Sequence, residues 1–253
     1  MIKKNHVLCS LFILFLFIVV LTTTGCGNLG AKKVLILGNS LVSTNDLPDI
    51  ISDIAQSMDK NLILESSTIQ GGRVITHISL LEKNNLLTSD SWTTVIVNPQ
   101  TYEVMREDWR NTYFYPGMDE LYDMMGNKSG NLALFLLWGH REPNAYIPYD
   151  NYEEMQTVID KVSREYASTK SIGLVPVGAA WRKVIEDNNE ISLYWDSVHP
   201  SYSGSYLSAC VIFSWLYNES TEGCTFIGEL QSDEANYLQK IAWETVLKER
   251  NKE

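Results

Sequence analysis

Positively charged residues are few in this sequence. The 253 residues include 20 lysines and arginines against 31 aspartates and glutamates, which gives a formal net charge of -11. A nucleic-acid-binding surface needs a basic face that neutralises phosphates, and this composition does not supply one. We therefore expect no nucleic-acid partner.

Cysteine is scarce as well, with four residues in the chain. Cys9 and Cys26 fall in the N-terminal region, which leaves Cys210 in an apolar helical run and Cys224 after a glycine. Their spacing is not that of metal ligands, and we expect no metal site. Two alternatives stay open for this pair: a disulfide, which an exported location permits, and a buried free thiol at Cys210.

Several motifs that would assign another chemistry are missing. The chain has no Gly-x-Gly-x-x-Gly for a dinucleotide, and we expect no cofactor. The sequence "GNSLV" around Ser40 has no glycine two places after the serine, so the nucleophile elbow of the α/β-hydrolases is absent. No internal repeat and no linker rich in proline, glycine or serine divides the chain, whose residues are 45% hydrophobic. A single domain with one sizeable core is the expectation.

The N-terminus carries a targeting pattern. Lys3 and Lys4 precede an apolar run of 15 residues, Val7–Leu21, and "TTTGCGN" ends that run. A positive start, a short apolar stretch and small residues predict an export signal, because the run is short for a membrane span.

Cys26 follows a glycine in a pattern that resembles a bacterial lipobox, although Thr23 stands where a leucine is usual. We therefore expect residues 1–25 to be a signal peptide of lipoprotein type, Cys26 to be lipidated, and residues 26–32 to be a short tether. The domain of residues 33–253 would then lie outside the cytoplasm, anchored to the outer face of the bacterial cytoplasmic membrane. An uncleaved N-terminal anchor is the alternative.

Five segments that are typical of buried strands alternate with segments of helical spacing. The five segments read "KVLILGNS", "NLILESS", "TTVIVNP", "NLALFLLWG" and "SIGLVPVG". This alternation predicts a doubly wound, three-layer αβα domain with a five-stranded parallel sheet, in which Asp46 and Ser203 cap the helices that follow them. Functional side chains of such folds gather at the carboxyl ends of the strands. The chemistry is therefore expected in "GNS", "QGG", "NPQT" and "WGH", together with the late loop "DSVHPSYSG".

Ser40 ends the first predicted strand. A serine hydroxyl needs a histidine base to become a nucleophile, and the base needs an acid that orients it. Of the four histidines, His199 has a carboxylate at close range in a loop, because Asp196 lies three residues before it. Pro200 keeps His199 out of helical geometry, so the imidazole can project over the sheet edge. A surface salt bridge between Asp196 and His199 is the alternative interpretation.

The same strand ends offer donors for an oxyanion hole. The backbone N–H groups of Ser40 and of Gly71 or Gly72 can point at one spot, since glycine allows a ligand to approach closely. A side-chain amide from Asn98 or Gln100 would add a third donor. Each of these segments is also compatible with an ordinary structural turn.

Together these blocks resemble the SGNH (GDSL-like) hydrolases. The most similar branch is bacterial; it begins "ILxIGNS", carries "GG" in its second block and ends "DGxHPSxxGSYLAAC", where this chain reads "VLILGNS", "GGRV" and "DSVHPSYSGSYLSAC". The resemblance extends from Lys33 to about Gly228. It implies that Ser40 is the nucleophile, His199 the general base and Asp196 the residue that orients it.

The resemblance also implies an oxyanion hole that includes the N–H groups of Ser40 and Gly72. The sequence differs from the family pattern at two places. Asn39 stands where the family name has aspartate, and "VIVNPQTYE" replaces the usual Gly-x-Asn-Asp. Alignment of the strands selects Gln100 as the amide donor, with Asn98 as the alternative.

The activity implied is that of a serine esterase for small acyl esters, with acetyl groups on carbohydrates as the candidate substrate. A lipid-anchored binding protein without catalysis and an acyltransferase on the same triad are the alternatives. Tyr102, Trp138 and Tyr146 are candidates for sugar stacking, against plain packing. His77 and His140 are candidates for lining a substrate cleft, against local hydrogen bonding.

Overall fold

The computed structural model describes residues 30–84, 86–89, 92–187 and 190–252. The predicted signal peptide, the lipidation of Cys26 and most of the predicted tether lie outside these residues. Within the described ranges no helix is both long enough and apolar enough to cross a membrane.

A five-stranded parallel sheet forms the centre of the domain, with strand order β2-β1-β3-β4-β5. All four strand pairings are parallel. The expectation of a doubly wound five-stranded sheet is confirmed, because the order reverses at β1 and the helices cover both faces. The strands are β1 (Lys32–Gly38), β2 (Leu62–Thr68), β3 (Thr94–Val97), β4 (Leu132–Phe135) and β5 (Gly173–Val175).

Helices fill the connections between the strands and the segment after β5. One group comprises α2, α9, α10 and α11, which pack on one another; α3 packs on α7 and α5 packs on α8 in the second group. The helices are α1 (Ser40–Ser43), α2 (Leu47–Ser57), α3 (Val74–Asn84), α4 (Leu86–Ser89), α5 (Thr101–Met105), α6 (Glu107–Trp109), α7 (Tyr115–Met125), α8 (Tyr152–Lys170), α9 (Val177–Glu186), α10 (Tyr202–Tyr217) and α11 (Ser232–Arg250). A π-helical turn, Arg110–Phe114, joins α6 to α7.

The core follows from the apolar runs. Residues Val34–Leu37 of β1 and all of β3 and β4 are buried, because a central strand of a doubly wound sheet is covered on both faces. Helix α10 is buried over most of its length, as its uniformly apolar sequence requires. It lies between α2 and α11 and carries the chain away from the late loop.

Two cap predictions need correction. Ser201, rather than Ser203, caps α10, since its Oγ accepts the N–H of Gly204 at 3.2 Å. The helix begins directly after the Pro200-Ser201 pair, so Ser203 lies inside the first turn, where its hydroxyl donates to Glu234. Asp46 does precede α2, but it has left-handed backbone geometry and its carboxylate caps no N–H.

The two cysteines of the domain are free thiols, and both are buried. The disulfide alternative is therefore wrong for Cys210 and Cys224. The Cys224 thiol lies 2.8 Å from the hydroxyl of Ser57.

Candidate active site

Ser40 is placed by a tight turn at the carboxyl end of β1. A side chain at Gly38 would approach Val42 to 2.4 Å, so this position needs glycine. Asn39 then caps α1, since its Oδ1 accepts the N–H of Leu41 at 3.1 Å. Ser40 is the first residue of that helix, and its hydroxyl therefore stands at the edge of the sheet.

The Asn39 amide joins three of the sequence blocks. Its Nδ2 donates to the carbonyl of Gly72 at 3.4 Å and to that of Pro99 at 3.2 Å. The side chain is buried, so these bonds satisfy a group that water cannot reach. An ionised aspartate has no proton to donate to either carbonyl. Asparagine at this position thus fixes the turns after β2 and β3 against the turn that carries Ser40.

The late loop folds back on itself in a compact turn. Two backbone hydrogen bonds join its two sides: the N–H of Trp195 donates to the His199 carbonyl at 2.9 Å, and the N–H of Ser201 donates to the Leu193 carbonyl at 2.8 Å. At the tip, Oδ1 of Asp196 accepts the N–H groups of Val198 and His199 at 2.6 and 2.7 Å. The backbone thereby holds the carboxylate beside the imidazole.

Ser40, His199 and Asp196 form one hydrogen-bonded chain. His199 Nδ1 lies 2.8 Å from Asp196 Oδ2, and His199 Nε2 lies 3.0 Å from Ser40 Oγ. An ionised carboxylate only accepts, so Nδ1 carries the proton and Nε2 accepts from the serine hydroxyl. The arrangement matches the geometry by which a histidine removes a proton from a nucleophilic serine.

The Asp196 carboxyl is ionised in this setting. Partial burial raises its pKa, but the hydrogen bonds from the His199 ring and from the backbone N–H groups of His199 and Val198 outweigh this effect and lower the pKa to about 2. The carboxylate therefore keeps its negative charge at neutral pH. That charge stabilises the imidazolium that forms when His199 takes up a proton.

Residues after β4 hold the late loop in place. The Trp138 indole donates to the Val198 carbonyl at 3.0 Å, and the N–H of Arg141 donates to the Ser197 carbonyl at 2.8 Å. The Trp138 ring is buried and stacks on Trp181 at 3.9 Å with parallel planes. Trp138 is therefore a positioning residue, and the sugar-stacking candidate role is wrong for it, because its ring faces the protein interior.

Asn45 makes a contact that sequence reasoning missed. Its Nδ2 donates to the Pro200 carbonyl at 3.2 Å and to the Ser205 hydroxyl at 3.0 Å. The residue has left-handed backbone geometry, with φ of 57°, which asparagine tolerates better than most residues. The bond connects the segment after Ser40 to the loop that carries His199.

The predicted oxyanion-hole donors differ in whether their N–H groups already have an acceptor. The Ser40 N–H stands at the first position of α1, where an amide has no partner inside the helix. The Gly72 N–H donates to the Ile69 carbonyl at 2.7 Å, so it already has an acceptor in this structure. A side chain at Gly72 would come within 2.7 Å of Ile69, which explains the glycine in structural terms.

Gln100 is held in a defined orientation. Its Oε1 accepts the N–H groups of Tyr102 at 2.7 Å and Glu103 at 3.2 Å, while Glu103 Oε2 accepts the Gln100 N–H at 2.9 Å. This capping box leaves Nε2 to donate elsewhere, and it has no acceptor among the described residues. Asn98 is buried, and neither atom of its amide is paired within the described ranges. The structure offers no reason for that unpaired amide.

Glu103 is a buried carboxyl that sequence reasoning missed, although "QTYE" has the spacing of a capping box. Its side chain has no solvent exposure. Burial raises its pKa to about 7, against the opposing effects of the Gln100 and Val74 N–H groups and the Arg73 charge. Glu103 therefore holds the Gln100 backbone, and its pKa lies close to neutral pH.

His77 and His140 are both buried. The His140 ring has no hydrogen-bond partner in the described part of the chain. Burial lowers the pKa of His77, and the Gly38 backbone, which the His77 ring faces, opposes that shift. Neither one lines an open cleft. Burial lowers the pKa of His140 to about 4; Asp196 opposes and His199 adds to that shift. The His140 ring packs edge-to-face on Tyr102 at 5.3 Å, so it is a neutral packing residue behind the hydrogen-bonded chain.

Two aromatic side chains near the site are exposed. Tyr146, a predicted sugar-stacking candidate, is 71% exposed, and Trp195, which sequence reasoning missed, is 79% exposed. Trp195 directly precedes Asp196. Tyr102 is half-buried between His140 and Trp109, and its hydroxyl accepts the Asn144 amide at 2.9 Å. In the described ranges no group of three or more His, Cys, Asp or Glu side chains could hold a metal ion.

No protein-family model and no curated protein sequence matches the chain. Its backbone, however, matches solved structures. A DUF4886 family protein from Bacteroides uniformis superposes with a TM-score of 0.72 at 17% identity, covering 86% of this chain and 95% of that one. A protein from Slackia heliotrinireducens described as an SGNH hydrolase gives a TM-score of 0.58 at 20% identity over 73% and 98% of the two chains. The chain has the fold of the SGNH hydrolases.

The neighbours of this SGNH fold include esterases. An acetyl xylan esterase from Geobacillus stearothermophilus superposes with a TM-score of 0.52 at 14% identity, covering 79% of this chain and 99% of that one. At such identities the likeness concerns the fold, and the chemistry depends on the side chains described above.

Proposed function

We propose that this chain is a serine esterase of the SGNH family that hydrolyses small acyl esters. The observation that carries the proposal is the hydrogen-bonded chain from Ser40 through His199 to Asp196, with spacings of 3.0 and 2.8 Å. It lies at the carboxyl edge of a doubly wound sheet, where such folds bind their ligands. The sequence blocks that resemble the family meet at this point.

In the proposed reaction, His199 Nε2 takes the proton of Ser40 Oγ as the oxygen attacks the ester carbonyl. The tetrahedral intermediate collapses when the imidazolium returns that proton to the leaving alcohol, and the acyl group stays on Ser40. A water molecule then loses a proton to His199 and attacks the acyl carbon, and the imidazolium returns that proton to Ser40 Oγ as the acid is released. The Asp196 carboxylate stabilises the imidazolium in both halves of the cycle.

The negative oxygen of the intermediate needs donors. The Ser40 N–H, the Gln100 Nε2 and the buried Nδ2 of the alternative donor Asn98 have no acceptor among the described residues. Gly72 would become a third donor if its N–H shared or left the Ile69 carbonyl. The capping box prevents the Gln100 amide from turning its oxygen toward the oxyanion, since that oxygen accepts two backbone N–H groups.

Acetyl esters of carbohydrates are the proposed substrate. Two observations support this choice: the fold neighbours include acetyl xylan esterases, and the exposed rings of Tyr146 and Trp195 flank the late loop and the segment after β4. Rings of this kind can stack on sugar faces. We further propose, from the N-terminal sequence, that a lipid on Cys26 anchors the domain at the outer face of the membrane.

The test is acetate release from acetylated xylooligosaccharides by the wild-type domain, by Ser40→Ala and by the matched control Ser43→Ala from the same helix. The proposal expects turnover by the wild type and the control, and a loss of at least about 10³-fold in Ser40→Ala. Equal rates in all three proteins contradict it. Binding without turnover would indicate a binding protein, and acetyl transfer to an added sugar in place of hydrolysis would indicate an acyltransferase.

A further inference from the structure

The backbone of Arg73 is connected to the turn that carries Ser40. It follows Gly72, whose carbonyl accepts the Asn39 amide at 3.4 Å, and Asn39 precedes Ser40. The backbone of Arg73 is fixed by Thr76, whose Oγ1 accepts the Arg73 N–H at 2.8 Å. The side chain therefore starts from a defined point at the same edge of the sheet as the serine hydroxyl.

The Arg73 guanidinium lies over two aromatic rings. Its central carbon is 4.5 Å from the Trp109 ring centroid and 4.0 Å from that of Tyr113. The two rings are nearly perpendicular, with centroids 5.7 Å apart. A guanidinium stacked on ring faces keeps its N–H donors free at its edge, where a planar oxyanion can be bound by two parallel hydrogen bonds.

No acceptor within the described ranges takes those donors. Every other arginine in these ranges has an acidic or carbonyl partner for its guanidinium: Arg106, Arg110, Arg141, Arg164, Arg182 and Arg250. The neighbouring Glu103 carboxyl accepts the Gln100 N–H through Oε2, and its buried Oε1 has no hydrogen-bond partner in the described ranges. Arg73 thus differs from the arginines of the surface ion pairs: its charge acts on the buried Glu103 carboxyl, but its guanidinium N–H groups have no hydrogen-bond acceptor in the described ranges.

A row of rings connects this guanidinium to the hydrogen-bonded chain. Trp109 packs on Tyr102 at 5.9 Å, and Tyr102 packs on His140 at 5.3 Å. His140 in turn is close enough to His199 and Asp196 for their charges to affect its pKa. Because His140 is buried, these ring contacts fix the position of the Arg73 guanidinium relative to the hydrogen-bonded chain without themselves lining a path for the substrate.

We propose that Arg73 binds a carboxylate of the substrate and makes the enzyme selective for acyl esters of acidic sugars. This inference rests on the proposed esterase function and names its substrate class more closely. The Arg73 guanidinium, whose N–H groups have no acceptor in the described ranges, suits a singly charged carboxylate, whereas the second cation near Trp109, Arg106, is paired with Asp108. The net charge of -11 repels anions at long range, so the selectivity must come from this local contact.

The test compares two acetylated sugars that differ in the carboxylate. Xylose differs from glucuronate by a hydrogen in place of the C6 carboxylate on C5, so acetylated methyl xyloside and acetylated methyl glucuronoside form a matched pair. We expect wild-type kcat/KM to favour the glucuronoside, and Arg73→Gln to lower that value by roughly 10- to 100-fold through KM, the range of a charge-assisted hydrogen-bond pair. The xyloside should be hydrolysed equally by both proteins, and Arg73→Lys should lie between them.

Arg106→Gln is the control, because it removes a cation near the same Trp109 ring. It should keep the preference for the glucuronoside. Equal loss on both sugars in Arg73→Gln, or no preference in the wild type, would overturn the inference while leaving esterase activity intact.

Direct binding separates this inference from the failure of catalysis. In Ser40→Ala, calorimetry with unacetylated methyl glucuronoside should show binding that Arg73→Gln abolishes and that methyl xyloside does not match. Loss of all ester hydrolysis with this binding retained would refute the esterase proposal alone. Absence of the difference between the two sugars would refute the role of Arg73.

Discussion

Replacement of Asp196 by asparagine keeps the size of the side chain and changes its hydrogen bonding. In the wild type three N–H groups converge on the carboxylate, at 2.6 Å from Val198, 2.7 Å from the His199 backbone and 2.8 Å from the His199 ring. An amide offers one oxygen and one NH₂ group. Either orientation therefore sets an NH₂ group against an N–H donor.

The backbone pair fixes which orientation is retained. With the amide oxygen toward Val198 and His199 N–H, the NH₂ group faces His199 Nδ1 and forces the proton onto Nε2. That tautomer cannot accept the Ser40 proton. We expect kcat of Asp196→Asn to fall by about 10⁴-fold, as for other triads with the wrong tautomer, and KM to change little.

Asp196→Asn should also change how the free energy of unfolding depends on pH. The Asp196 pKa is lowered from 3.8 to about 2, so the ionised carboxylate stabilises the fold above about pH 4, and this stabilisation is lost as the pH falls toward 2. The side chain is 42% exposed, so solvent screening reduces the contribution to about 1 kcal/mol. Asp196→Asn should lack it, and the gap in unfolding free energy should close between pH 4 and pH 2.

Hydrolysis of para-nitrophenyl acetate measures the kinetic effect, and urea unfolding at several pH values measures the stability effect. Asp187→Asn is the matched control, since that exposed aspartate bonds Lys183 and Tyr237 and should leave kcat unchanged. A kcat of Asp196→Asn within tenfold of the wild type would refute the orienting role of the carboxylate.

Two further outcomes are expected from neighbouring residues. Gln100→Glu keeps an oxygen to cap α5 but loses the Nε2 donor, so kcat should fall by about 10²–10³-fold with little change in the free energy of unfolding; an unchanged kcat would remove Gln100 from the oxyanion hole. Burial lowers the His140 pKa from 6.5 to about 4, so the neutral ring stabilises the fold above pH 6.5 and loses that contribution as the pH falls through 4. The unfolding free energy of the wild type relative to His140→Phe should therefore drop by about 3 kcal/mol between pH 7 and pH 4, and a flat difference in urea titrations would contradict the buried neutral state.

The sequence predicts β1, β3, β4 and β5 because each contains a continuous apolar run, which is a local property, whereas β2 is only partly buried at an edge of the sheet. It also predicts that Ser40, Asp196 and His199 lie at one edge, since parallel strands place their carboxyl ends together. The contacts that hold them are long-range. Asn45 donates to the Pro200 carbonyl across a sequence separation of 155 residues, and no local sequence pattern predicts such a hydrogen bond.

Other differences between the sequence-based expectations and the structure arise where the local sequence allows two alternatives. Both Ser201 and Ser203 can cap a helix, and the register of α10 after Pro200 decides for Ser201. Trp138 could have faced solvent or core, and its stacking on Trp181 fixes it inside. In the sequence Arg73 looks like an ordinary turn residue. Only the fold shows that the segment after β3 places Trp109 and Tyr113 beside it.

The central claim is that Ser40 is a nucleophile activated by His199. A fluorophosphonate reacts covalently with such a serine, and peptide mass spectrometry locates the adduct. We expect one adduct on the peptide that contains Ser40, no adduct in Ser40→Ala and a sharply reduced rate of labelling in His199→Ala. A folded wild-type protein that stays unlabelled, or an adduct on another serine that persists in Ser40→Ala, would contradict the proposed function.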